Sequence, residues 1–182
     1  MSDTAFERAF AKLHGIEGGY VNDKTDRGGA TRFGITEGVA RENGYTGDMG
    51  SLPVEVASRI YRAQYWDKLR LDQVALMSYM IADELFDTCV NMGTGIAGRF
   101  LQSALNAFNR NGKDFPDISI DGEVGPGTVG TLRKFLDLRG TDGEKVLYRA
   151  LNAQQGARYL EIARNDPAQE RFVVGWFLNR VS

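Results

Sequence analysis

One cysteine, Cys89, and one histidine, His14, stand among the 182 residues. A single cysteine can form neither an intrachain disulfide nor a cysteine-based metal cluster, and it leaves folding compatible with a reducing cytoplasm. A single histidine excludes every triad or metal site that needs two, and on a helix that must bury one face His14 reads as a packing residue. Surplus positive charge is lacking as well. The 22 Lys and Arg are offset by 24 Asp and Glu, for a formal net charge of -2, without the basic footprint that captures nucleic acid. No nucleic-acid partner, metal or cofactor is expected. Long apolar runs are missing too: the most apolar stretch, Val74 to Ile81, is interrupted by Ser78 and followed by Asp83-Glu84, so stable membrane insertion is not expected. The amino terminus, Met1-Ser2-Asp3-Thr4-Ala5-Phe6-Glu7-Arg8, has neither the basic nor the apolar region of a signal peptide. Synthesis in the cytoplasm without such a peptide is the expectation.

What is present is a hydrophobic fraction of 42%, enough to build the core of one domain or of two small ones. Apolar residues recur with helical spacing and period-two alternation is nearly absent, which predicts a mainly α fold. Phe6, Phe10 and Leu13 share one face of a first helix beginning near Asp3, which Gly15 can end through a left-handed cap. Glu17 follows directly. Between Gly18 and Thr36 lie five glycines with Asn22, Asp23 and Asp26, too turn-rich for a helix, and the segments around Tyr20 and Phe33 are predicted to pair as a small β-hairpin. Helices resume from Thr36, then from Ser51 as N-cap before Pro53 to about Trp66, from Asp72 to about Asn91, and from Gly95 to Asn109. A second polar break spans Asn111 to Thr128, where Phe115, Ile118 and Ile120 are expected to tie the chain to the core. Two or three more helices reach Ser182.

The chemistry suggested by the first break is that of paired carboxylates. Cleaving a glycosidic bond takes an acid to protonate the leaving oxygen and usually a second carboxylate to activate water or stabilise the oxocarbenium-like transition state. Glu17, at the junction of helix and glycine-rich turn, has apolar neighbours such as Ile16 to favour its protonated form while substrate keeps access. Asp26 or Asp23 can supply the second group, and Thr31 can hold a water through its hydroxyl. Gly18, Gly19, Gly28 and Gly29 let the backbone turn tightly or approach a sugar without an intervening Cβ. Tyr20, Tyr65 and Trp66 are candidates to stack on sugar rings, although aromatics at helical spacing belong more often to a core. Asp87 and Asn91, one helical turn apart, suit a polar pair that supports the active-site loop or lines the cleft. Asp121-Gly122-Glu123 lacks the regularly spaced ligands of a calcium loop and reads as a turn feeding a helix.

The run Glu17-Gly18-Gly19-Tyr20-Val21-Asn22-Asp23, followed by Asp26-Arg27-Gly28-Gly29-Ala30-Thr31 and Gly34-Ile35-Thr36, resembles the signature of glycoside hydrolase family 108. Tyr61-Arg62-Ala63-Gln64-Tyr65-Trp66 and Phe86-Asp87 to Asn91-Met92-Gly93 are similar to the same family. Asp121-Gly122-Glu123-Val124-Gly125-Pro126-Gly127-Thr128 and Phe172 to Trp176 resemble its C-terminal peptidoglycan-binding domain. The resemblance implies a lysozyme-like helical fold with a small β-hairpin at the active site. It implies a muramidase domain over residues 1–95 and a helical peptidoglycan-binding domain over 96–182 packed on it.

For function it implies an N-acetylmuramidase that hydrolyses the β-1,4 bond between N-acetylmuramic acid and N-acetylglucosamine, with Glu17 as the acid. The order Glu17, Asp26, Thr31 also resembles the triad of phage-type lysozymes, with an Asp26 to Thr31 interval one residue shorter. Lys24 and Arg27 stand where the family often has prolines. A lytic transglycosylase and a non-catalytic wall-binding or secretion-assisting module are the rival readings. The family's phage and prophage endolysins imply action at the cell wall after release through a holin or another export route. With no heptad seam, a monomer is expected, its partner being peptidoglycan glycan strands.

Overall fold

A computed structural model describes residues 4–17, 20–21 and 30–181 of the chain. These divide into two compact units, Met1–Asp67 and Lys68–Ser182.

The first unit opens on α1, Ala5–Glu17. Thr4 and Glu7 start it as a capping box: the Glu7 amide donates to Thr4 Oγ1 at 3.2 Å and the Thr4 amide to Glu7 Oε2 at 2.6 Å, which satisfies two otherwise orphaned donors. That amide, the Thr4 hydroxyl and nearby Arg62 hold the Glu7 carboxyl below its ordinary value. The stripe Phe6, Ala9, Phe10 and Leu13 is buried. Contrary to expectation, Gly15 does not end the helix, which runs on to Glu17. An interior glycine weakens a helix by only about 1 kcal/mol relative to alanine, less than such an apolar stripe contributes.

The predicted hairpin forms, with a third strand added. β1 (Tyr20–Val21), β2 (Thr31–Arg32) and β3 (Ile35–Thr36) make an antiparallel sheet in that order. Tyr20 pairs with Arg32, Val21 with Thr31, Thr31 with Thr36, and Arg32 with Ile35. The β2–β3 turn is the dipeptide Phe33-Gly34, both with positive φ, 53° and 71°, as the twist-compatible two-residue hairpin demands. Thr36 then caps α2 (Glu37–Glu42), its Oγ1 accepting from the Val39 amide.

Helix α3 spans Val54–Tyr61. Ser51 does not cap it, as the sequence led one to expect; it closes a 3₁₀ turn, Met49–Ser51. Pro53 takes the N-cap position with φ −67° and ψ 144° and accepts the first helical bonds from Val56 and Ala57. A residue before proline is disfavoured in the α region, so the helix cannot begin earlier. After Tyr61 the chain widens into a π-helical turn, Arg62–Trp66, closed by the bond from Asp67 N to Arg62 O at 2.9 Å. The wider turn brings Tyr61 and Trp66, five positions apart, to one buried side. There Phe10 meets Tyr61 at 5.5 Å and Phe6 meets Trp66 edge-on at 5.4 Å, arrangements that suit the aromatic quadrupole.

The second unit begins with α4 (Leu71–Ala75) and α5 (Tyr79–Met92). These replace the single helix expected from Asp72, because Ser78 adopts extended geometry and accepts from the Ile81 amide at 3.1 Å. Helix α6 (Thr94–Ala107) follows immediately after Gly93, two residues short of the expected end. α5 is the central helix, with Ile81, Ala82, Leu85, Phe86 and Cys89 all buried. Beyond the polar segment lies α7 (Pro126–Asn165), kinked at Gly140 with φ 55° and ψ −143°, a conformation essentially reserved for glycine. A 3₁₀ turn, Pro167–Gln169, leads into α8 (Glu170–Arg180).

The segment between α6 and α7 is fastened by carboxamides. Gln102, 1% exposed, accepts from the Gly122 amide at 2.8 Å and donates to Asp121 Oδ1 at 2.7 Å and to Glu123 O at 3.1 Å. Asn106 grips both backbone groups of Ile118. Gly98 and Gly122 allow this closeness, since a Cβ on Gly98 would stand 2.2 Å from the Gly122 carbonyl oxygen. Phe115 and Val124 are the buried anchors, whereas Ile120, expected to help, is 49% exposed.

Candidate active site

Glu17 is the last residue of α1, and Tyr20 opens β1. Three residues of chain reach at most about 11 Å, so the end of the helix and the edge of the sheet are neighbours by covalent necessity. The β1–β2 pairing holds Val21 opposite Thr31, about 5 Å apart at Cα in an antiparallel ladder. Asp23 and Asp26 are therefore carried by a connection whose two ends are pinned together beside the end of α1. The sheet thus brings the backbones of Glu17, Tyr20 and Thr31 into one locality. Asp23, Asp26, Gly28 and Gly29 lie outside the described residues, as do the side chains of Glu17 and Tyr20.

The far side of the connection is well anchored. Ala30 O accepts from the Glu37 amide at 3.0 Å, so the N-terminus of α2 holds the entry to β2. Tyr61 Oη donates to Phe33 O at 2.9 Å, fixing the tight turn, and the Arg32 guanidinium lies 4.9 Å from the Phe33 ring centre. These contacts hold Thr31 in register. Tyr61 is the supporting residue that sequence reasoning passed over. It entered the sequence reading only within the run Tyr61 to Trp66, and nothing local reveals a hydroxyl aimed at a carbonyl 28 positions away.

Trp66 takes a different role from the one envisaged. It is 0% exposed and packed on Phe6, so its indole is a core element with no face for a sugar. Tyr65 is half-buried, its ring 5.4 Å from that of Tyr61.

Asp87 and Asn91 lie in the second unit. Asp87 Oδ1 accepts from Arg180 Nη1 at 2.6 Å and Oδ2 from Gln155 Nε2 at 2.7 Å. With Arg180 only 6% exposed, this charge-assisted cluster ties α5 to α7 and α8. Asn91 Nδ2 donates to Asp87 O at 2.8 Å, bonding back along its own helix. Burial, and then the Asp87 charge, push the Cys89 thiol well above its ordinary value. The reading of Asp121 to Thr128 as a turn feeding a helix agrees with the structure: Glu123 N bonds Asp121 Oδ1 at 2.9 Å, and Gly125 caps α7 with Pro126 in its first turn. Among the described residues no group of three or more His, Cys, Asp or Glu side chains is placed to hold a metal ion.

Comparison with known families gives two matches in series. The family described as "Glycosyl hydrolase 108" matches residues 10–93, and that described as "Predicted Peptidoglycan domain" matches 96–181. The first match ends within the second compact unit, just past α5. Among solved structures, one described as "Structure of Brucella abortus SagA" superposes with a TM-score of 0.63 at 23% identity, covering 94% of this chain and 86% of that one. The likeness shows a shared fold, the mainly α, lysozyme-like architecture expected from the sequence. No curated protein matches.

Proposed function

Because the chain carries a glycosyl hydrolase 108 domain followed by a peptidoglycan domain, we infer that the bond it cleaves is the β-1,4 link from N-acetylmuramic acid to N-acetylglucosamine. The protein is a glycoside hydrolase of lysozyme type that acts on peptidoglycan.

The observation that carries the assignment of residues is the position of Glu17 as the last residue of a 13-residue helix. The negative end of the helix macrodipole favours an uncharged acid over a carboxylate there, which is the state a proton donor needs. In the proposed mechanism Glu17 protonates the glycosidic oxygen. Asp26, from the pinned β1–β2 connection, deprotonates a water that Thr31 helps to orient, and attack from the opposite face inverts the anomeric carbon. A retaining route would instead require two carboxylates about 5 Å apart, against roughly 6.5–9.5 Å when water must fit between them. Tyr20, Asp23, Gly28 and Gly29 line the substrate side in this reading. An endolysin setting, with release to the cell wall through a holin, is part of the proposal and rests on the sequence resemblance.

Separate Asp26→Asn and Asp23→Asn variants test the partner of Glu17. Turbidity loss of permeabilised cells is expected to fall about 10²-fold or more for the residue that activates water and by far less for the other. NMR of the first-formed anomer reports inversion; a larger loss for Asp23→Asn, or retention, would overturn the assignment.

A further inference from the structure

A groove of about 540 Å³ lies in the second unit between the C-terminal end of α6 and the kink of α7. Phe108 and Phe135, stacked at 5.9 Å, form its floor. Leu138 and Val146 line it while 58% and 43% exposed. At one end Arg110 and Arg139 both bind Asp114, Arg139 Nη2 at 2.7 Å. Asp114 is 5% exposed, Arg110 64% and Arg139 38%. One carboxylate balances only one guanidinium, and each guanidinium has five N–H donors, so an outward-facing surplus of positive charge and donors remains. Asp142, 91% exposed, lines the same groove, with Lys145 Nζ 3.9 Å away.

A pairing that served only to fasten the loop after α6 to α7 would need one arginine and would leave no reason for an apolar floor. The groove combines an apolar strip, a guanidinium end and a carboxylate edge, and its volume falls in the range of ligand sites. Peptidoglycan supplies a matching chemistry in only one of its parts. Its sugars are N-acetylated, and where the lactyl carboxyl carries a peptide it is an amide, so the strand itself is neutral. Free carboxylates, a side-chain ammonium and small methyl groups all belong to the stem peptide.

We propose that this groove binds the peptidoglycan stem peptide: Arg110 and Arg139 take a carboxylate, Phe108, Leu138 and Val146 take its methyl groups, and Asp142 takes the side-chain ammonium of a diamino acid. This rests on the peptidoglycan reading of residues 96–181 and adds where on that domain, and through which part of the polymer, recognition occurs.

The test titrates the full chain with a synthetic L-alanyl-γ-D-glutamyl-diaminopimelate tripeptide, followed by NMR and calorimetry. Binding is expected to shift amides near residues 107–110 and 135–146. Arg110→Gln should weaken it about tenfold or more, the loss of a charge-assisted hydrogen bond, as should Leu138→Glu, an exposed position whose substitution spares the fold. Amidating the peptide carboxyls should weaken it comparably in the wild type. No binding by the wild type, equal affinity in the folded variants, or indifference to amidation would overturn the proposal. Hydrolysis of intact peptidoglycan by the wild type, measured in parallel, separates the two readings. Hydrolysis without peptide binding sinks this site and leaves the muramidase; peptide binding without hydrolysis does the reverse.

Discussion

Replacing Gln102 by leucine removes the carboxamide that holds the segment between α6 and α7 while keeping a side chain of similar bulk. In the native fold Gln102 Oε1 accepts from the buried Gly122 amide and Nε2 donates to Asp121 Oδ1. Glu123 O, its third partner, keeps a bond from the Gly125 amide. The loss is therefore one buried N–H left without this acceptor, about 1–3 kcal/mol, while the exposed Asp121 carboxylate turns to water. For a unit spanning Lys68–Ser182 this lowers the melting temperature by roughly 4–12 °C. Calorimetry of the full chain reads the shift, and because the Asp121 carboxyl is held low chiefly by Gln102, its NMR titration should move upward in the variant. A melting shift under about 3 °C with Asp121 unmoved would refute the reasoning.

Other perturbations read other parts of the structure. Tyr61→Phe deletes the bond to Phe33 O; about 1 kcal/mol of stability should go, and the hydrolytic rate should fall with it because the turn beside Thr31 loosens. An unchanged melting curve and rate would contradict the anchoring role. Cys89 should resist a disulfide-exchange reagent in the native protein and react once on unfolding, since burial and the Asp87 charge disfavour its thiolate; rapid native labelling would refute this. Asp114 is held below its ordinary value, first by Arg110 and also by Arg139. A carboxyl lowered in the fold contributes stability that is fully present above its unfolded value near 4 and is lost as pH falls through its lower folded value. Denaturant midpoints should accordingly drop below about pH 4, less steeply in Asp114→Asn, and equal slopes would contradict the pairing.

Much of the first unit is legible in the sequence because its signals are local. The stripe Phe6, Phe10, Leu13, the helix start at Thr36 and the strand segments around Tyr20 and Phe33 each announce themselves within a few residues. Where reading failed, a neighbour distant in sequence or a backbone detail had decided the outcome. Gly15 stays helical because a glycine penalty is small beside a buried apolar face. Pro53 moves the start of α3 through the conformation it imposes on Leu52. The π turn that buries Trp66 and the kink at Gly140 have no compositional mark. Asp87 was recognised as a supporting polar residue, yet its partners Gln155 and Arg180 lie 68 and 93 positions away, beyond any spacing rule. Arg110 and Asp114 stand four apart, a pairing the sequence reading did not single out, and their third member, Arg139, is visible only in the fold.

The central claim is that Glu17 donates the proton in a hydrolytic cleavage of the glycan. It is tested most directly by mass spectrometry of peptidoglycan fragments released by the wild type and by Glu17→Gln. The account predicts wild-type fragments with reducing N-acetylmuramic acid ends, each carrying the mass of one added water, and essentially none from the variant. Anhydro ends from the wild type, or undiminished fragments from Glu17→Gln, would contradict it.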